Sequence, residues 1–211
     1  MDVLKGFSEN CTQCPRLAEF LAGIRLEFPH YHARPVSPFG AAKPRLLIVG
    51  LAPGMHGANA TGRPFTGDHA GILLYNTLFK YGFSNQPQSS HLGDGLVLQD
   101  CRITNAVKCL PPQNKPTLVE VNQCNVYLAQ ELASLAEGTL VLALGNIAHQ
   151  ATLKSLGKKV GQFRFAHGAE HVIEHVRLID SYHCSRYNTQ TRRLTEEMFE
   201  RLFQRIRDLL G

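Results

Sequence analysis

The chain has 211 residues, 44% of them apolar and 18% charged, which suits one buried core and excludes a disordered or fibrous protein. Its net charge of +5 admits a polyanionic partner without requiring one. The opening M-D-V-L-K-G-F-S-E-N lacks an apolar signal region, and no apolar run approaches the length of a membrane span. A soluble cytoplasmic monomer with no membrane partner is therefore expected, and 1–211 is expected to form a single domain. Six cysteines in that setting read as metal or cluster ligands rather than as a disulfide framework.

In chain order, Cys11 and Cys14 form C-T-Q-C-P, and Leu17, Phe20, Leu21, Ile24 and Phe28 then share one helical face. Residues 29–44 hold four prolines and no periodicity, and read as a loop wrapped over the surface. Residues 46–49 are a short branched run, a buried strand. Gly50, Pro53, Gly54, Gly57, Gly62, Pro64 and Gly67 follow and exclude a helix or central strand. The pattern is a strand feeding a long shaped loop, at the edge of an open α/β sheet where ligands bind. A helix over 71–81 is predicted with Ile72, Leu73, Leu78 and Phe79 in the core, and 84–99 is a variable loop. Residues 102–107 form a second strand, and 108–117 a proline loop ending at Thr117. With Glu120 three residues on, Thr117 has capping-box spacing for a helix over 118–136. Residues 139–144 are a third strand, and a helix runs from 145 to about 156. Further strands are predicted at 163–165 and 176–181, followed by a polar loop over 182–193 and a closing amphipathic helix over 195–210. Strands alternating with helices indicate an α/β fold with a mainly parallel sheet.

Cys11, Cys14, Cys109 and Cys124 stand apart from Cys101, which reads as a buried apolar residue, and from Cys184. Four thiolates would hold zinc or a [4Fe-4S] cluster. Zinc ribbons use two close pairs, and the second pair here is looser, so spacing leaves both open.

Three stretches carry a resemblance. They are G-L-A-P-G-M-H-G-A-N-A-T-G-R-P-F-T-G-D over 50–68, I-T-N-A-V-K-C-L-P-P-Q-N-K-P over 103–116, and S-Y-H-C-S-R-Y-N-T-Q-T-R-R-L-T over 181–195. In this order, with the four cysteines, they resemble the uracil-DNA glycosylase superfamily, family 5 (the B type), with family 4 the nearest relative. The resemblance covers essentially the whole chain. It implies a three-layer α/β/α fold, a DNA partner, a flipped damaged base, and a structural [4Fe-4S] cluster on Cys11, Cys14, Cys109 and Cys124. One departure stands in the third stretch, where Cys184 replaces the family's proline after His183 and loosens the geometry preset for that loop.

The resemblance further implies that His183 donates to the departing base and that Phe65 stacks on it. The Asn105 amide matches the N3–H and O4 edge of uracil and the N1–H and O6 edge of hypoxanthine. Gly50, Leu51, Ala52 and Gly54 frame the base, with backbone N–H groups available to it. Related families place Asp or Asn at the position of Ala52 to hold the attacking water. Three readings follow: Asp68 or Asn59 reaches in instead, water attacks a nearly free sugar cation, or the protein binds lesions with weak or no turnover. A nucleotide hydrolase on the same plan would need a carboxylate cluster for magnesium, and neither loop has one. Gly54 stands where the narrowest uracil-specific relatives carry a tyrosine. Arg63, Ser185, Arg186, Tyr187 and Asn188 are expected on DNA, Tyr187 as the wedge replacing the flipped nucleotide. Lys43, Arg45, Lys108, Lys115, Arg192 and Arg193 are further expected phosphate contacts.

Overall fold

The structure is a computed structural model that describes residues 5–211. Helix α1 (Pro15–Glu27) opens on a proline, whose missing N–H costs nothing in the first turn, and buries Leu17, Leu21 and Ile24. The two-residue edge strand β1 (Phe39–Gly40) precedes β2 (Leu46–Gly50), every residue of which is buried. The glycine loop contains one short helical turn, α2 (Ala58–Thr61). Helix α3 (His69–Lys80) is capped by Asp68, whose carboxylate accepts from the Gly71 amide. Strand β3 (Cys101–Asn105) leads to α4 (Leu118–Ala133), which starts with the capping box expected of Thr117 and Glu120. Strand β4 (Thr139–Leu144), α5 (Asn146–Ser155), β5 (Glu170–Ile173) and β6 (Val176–Ser181) follow. The chain closes with α6 (Arg186–Gln190) and α7 (Glu196–Leu210).

The six strands form one sheet in the order β1-β3-β2-β4-β6-β5. The four central strands run parallel, and the two edge strands pair antiparallel to their neighbours. Side chains alternate along β2: Leu47 and Val49 join a core with α1, α4 and α5, while Leu46 and Ile48 join a core with α3 and α7. Each face of the sheet is thus covered by helices, giving the expected three-layer α/β/α architecture. In register, Gly50 lies beside Asn105 and Leu144 beside Ser181, so the loops leaving β2, β3, β4 and β6 open on one edge.

Three sequence expectations are corrected. Residues 163–165 are not a strand; they follow a single 3-10 turn (Val160–Gln162), and the partner of β6 is β5. Ile72 and Phe79 are exposed rather than core. Ala70, Leu74 and Leu78 face inward with Tyr75, whose hydroxyl donates to the Pro64 carbonyl at 2.8 Å, and one helix buries one stripe. The loop over 182–193 contains α6, whose Ser185 cap lay unread in the sequence.

Candidate active site

At the carboxyl edge of the sheet a cavity of about 530 Å³ opens, within the range of ligand pockets. Leu51, Ala52 and Gly54 line it from the loop after β2, joined by Phe65, Asp68 and His69. Asn105 enters from the end of β3, Asn114 from the proline loop, and His183, Ser185 and Arg186 from the loop after β6. Three connections, those after β2, β3 and β6, meet there because parallel strands deliver their ends to one edge.

Asn105 is buried, yet its side-chain oxygen has no partner within the protein. A buried polar atom left unpaired is costly, and one on a cavity wall has an outlet in a bound ligand. Gly50 makes that placement possible: an added Cβ would collide with the Asn105 amide and come within 2.7 Å of the Phe65 ring. Phe65 holds a left-handed φ of 54°, a strained conformation for an aromatic residue. Its ring lies 6.0 Å from the His183 ring at 28°. Burial pushes the His183 imidazole below its ordinary pKa, and the Asp68 carboxylate opposes this with a smaller upward pull, so the ring is neutral near pH 7. The His183 carbonyl accepts from Asn188 Nδ2 at 2.8 Å, and Cys184 is fully buried in the α3–α7 core. These two contacts fix the loop where the proline is missing.

Asp68 performs two tasks. One carboxylate oxygen caps α3 at 2.9 Å from the Gly71 amide, and the side chain also borders the cavity. Gly57 leaves room for it, since an added Cβ there would lie 2.7 Å from the carboxylate. Ala52 lines the same cavity and offers no acceptor. Asn59 is fully buried outside the cavity, donating to the Met55 carbonyl at 3.3 Å, and so is not positioned to hold water at the base.

The expected DNA residues separate into two sets. Ser185 and Arg186 line the rim, and Tyr187 is 71% exposed beside them. Asn188 is spent on the His183 carbonyl. Arg63 is only 2% exposed and forms an ion pair with Asp94 at 2.8 Å, with further bonds to Ser89 and the Leu92 carbonyl. It pins the loop over 84–99 and is unavailable to phosphate. Lys108 is likewise buried against Glu131 at 2.7 Å. Lys43 and Arg45 lie at the opposite end of the sheet, where Arg45 donates to the Leu210 carbonyl. Sequence position flanking a motif could not separate these buried cations from surface ones.

Sequence reasoning missed Asn114 and Met55, which also line the cavity. Gln113 and Asn114 have φ of 55° and 56°. The Pro-Pro pair and the tolerance of asparagine for that region were the available signal.

Cys11, Cys14, Cys109 and Cys124 line a second cavity, walled by Leu17, Val107 and Tyr127. Burial raises the Cys14 thiol to about 11, with added repulsion from Cys124 and Glu120, and raises Cys109 further for the same chief reason. Four thiolates there need a cation to offset their repulsion. Tetrahedral zinc would hold its sulfurs about 3.8 Å apart. Among the described residues, no three of these sulfurs lie within 4.8 Å of one another. The Lys108 backbone N–H also donates to the Cys124 sulfur at 3.3 Å.

Residues 37–207 match the family described as the uracil DNA glycosylase superfamily. The chain is 44% identical to the type-5 uracil-DNA glycosylase of Thermus thermophilus over 95% of its own length and 94% of the relative's. It is 42% identical to that of Pyrobaculum aerophilum, over 93% and 87%. The type-4 uracil-DNA glycosylase of Archaeoglobus fulgidus is 31% identical, over 82% and 80%. With three loops meeting in one cavity at the carboxyl edge and these matches across nearly the whole chain, the protein belongs to the uracil DNA glycosylase superfamily, on its type-5 branch.

Proposed function

We propose that this chain is a monofunctional glycosylase that hydrolyses the bond between deoxyribose and uracil, and other deaminated bases, in DNA. The observation that carries this reading is the unpartnered, buried Asn105 oxygen on the cavity wall. A flipped uracil offers its N3–H to that oxygen, while the amide nitrogen donates to O4. Phe65 supplies the stacking face. As the bond breaks, negative charge grows on the base and positive charge on the sugar. The neutral His183 then donates an N–H to the base oxygen where charge develops. Asp68 is the acceptor available to orient water, and its charge also favours the cationic sugar. Arg186 and Ser185 at the rim contact phosphate. The acting unit is the monomer, with residues 1–211 as one domain.

The four cysteines hold a [4Fe-4S] cluster in this reading. The convergence of four thiols on one cavity and the resemblance to family 5 support this assignment over a single zinc. When bound, it supplies a structural crosslink joining α1, the loop after β3 and α4. The purified protein is expected to be brown, with iron and sulfide in a ratio of about four to four. Cys109→Ser should lose both colour and thermal stability, whereas one zinc and no iron after anaerobic purification overturns the assignment.

The activity is tested on uracil-containing DNA by the appearance of alkali-labile sites with EDTA present. Asn105→Ala and His183→Ala should each lower kcat/KM by about 10²–10³. Tight binding without alkali-labile sites would overturn the reading in favour of a lesion-binding protein.

A further inference from the structure

Behind the loop that carries His183, two histidines converge on one buried carboxylate. His149 Nδ1 lies 2.8 Å from Asp180 Oδ1, and His171 Nε2 lies 3.3 Å from Asp180 Oδ2. His149 and Asp180 are buried, and the His171 side chain is 16% exposed. None of the three lines the base cavity or the cysteine cavity.

Counting hydrogens on His149 gives an imbalance. Its Nε2 faces the Phe163 carbonyl at 3.1 Å, an acceptor that requires the N–H to sit on Nε2. A neutral imidazole then presents a bare lone pair at Nδ1, directly against the lone pairs of Asp180. Either a second proton, making His149 an imidazolium paired with Asp180 at 2.8 Å, or a metal ion must lie between them. Metal-ligating histidines commonly donate their other N–H to a backbone carbonyl, as His149 does here. The third nitrogen bears on which cation fits. At 3.3 Å, His171 is long for a charge-assisted hydrogen bond, which would be about 2.7–2.9 Å. It matches the separation of about 3.3–3.4 Å between nitrogen and oxygen ligands on tetrahedral zinc, whereas the His149 contact, at 2.8 Å, has hydrogen-bond length and would have to open by about 0.5 Å around an ion.

We propose that His149, Asp180 and His171 form a metal site separate from the cysteine centre, for a single divalent ion of the zinc class. Three protein ligands leave the fourth position to water, and the partly exposed His171 on edge strand β5 marks the side of entry. The ion would tie α5 and β5 to the end of β6, three residues before His183.

The test uses untagged, iron-loaded protein titrated with Co²⁺ as probe. One cobalt per chain is expected, with visible ligand-field bands and no sulfur-to-metal charge transfer, which separates it from the cysteines. Zinc at a hundredfold over its Kd should raise Tm by about 5–10 °C. His171→Asn, on an edge strand, should lose the cobalt and the zinc-induced shift while keeping its iron. The wild-type titration stands alone should that variant fail to fold. No cobalt bound, equal uptake by His171→Asn, or ¹⁵N NMR showing both His149 nitrogens protonated in the presence of zinc would overturn the proposal; the last would mean that a proton fills the gap.

Discussion

Gly50, which ends β2, and Gly54, in the loop after it, stand four residues apart and answer to different constraints. At Gly50 the crowding comes from Asn105 and Phe65, so Gly50→Ala must displace the amide or the ring. Excision should fall at least tenfold with little change in Tm, and a variant with wild-type kcat/KM would show that the wall is more pliable than drawn. At Gly54 an added Cβ would only reach ordinary contact with Asp68, at 3.4 Å. Gly54→Tyr is thus sterically admissible and projects its ring from a residue lining the cavity. It should narrow the range of bases, sparing uracil and losing hypoxanthine; equal retention of both would place the ring elsewhere. His183 supplies a pH signature. Its folded pKa lies below the ordinary value of about 6.5, so the unfolded chain binds protons first as pH falls. The stability it contributes is present above about pH 6.5 and is lost below it. His183→Gln should flatten the fall in Tm between pH 7 and 5, and an unchanged slope would assign that fall to other groups.

Among the elements, the loop over 84–99 owes its shape to one ion pair. Asp94 accepts from Arg63 and from the Ser90, His91 and Leu96 amides, and both charged side chains are almost fully buried. These hydrogen bonds outweigh the opposing cost of burial and hold the Asp94 carboxyl well below the usual range. Its contribution is therefore present above about pH 4 and is lost only as pH falls further. Asp94→Asn leaves the Arg63 charge buried and uncompensated, which should cost about 3–5 kcal/mol in urea denaturation. A loss under 1 kcal/mol would mean that water reaches Arg63. The case also shows what the sequence conceals. The strands over 46–49 and 139–144 and the capping box at Thr117 were legible because they depend on local composition and spacing. Arg63 was read as a phosphate contact because it lies within a motif loop, while its true partner lies 31 residues on. Asn59 was misplaced similarly: the short turn α2 carries it into the core, and that turn has no apolar periodicity to announce it. Asn105 and His183 were legible through motif resemblance, whereas Asn114 depended on the left-handed turn of the proline loop.

Across the whole molecule, the parallel sheet brings the proposed base pocket and the proposed DNA wedge to one end. His183 and Tyr187 hang from the same end of β6, and the Asn188 side chain binds the His183 carbonyl, linking α6 to the pocket loop. On the far wall His69 lies 3.0 Å from Thr189, so α6 is also held to the start of α3. An exposed aromatic ring on a helix braced from both sides of the cavity mouth suits the proposed wedge role, in which Tyr187 would enter the space a nucleotide leaves as that nucleotide reaches Asn105. Arg186 lines the cavity beside it and is placed to hold a phosphate in that reading. Filling the gap offsets part of an unstacking cost of roughly a few kcal/mol per step. That benefit depends on how much stacking and pairing must be undone. Tyr187→Ala should therefore slow excision most for uracil paired with adenine, less for mismatched uracil, and least in single-stranded DNA. Its Tm should barely move, because the ring is 71% exposed. An equal loss on all three substrates would assign Tyr187 to the pocket itself, and no loss on any would leave Arg186 and Ser185 to hold the strand without a wedge.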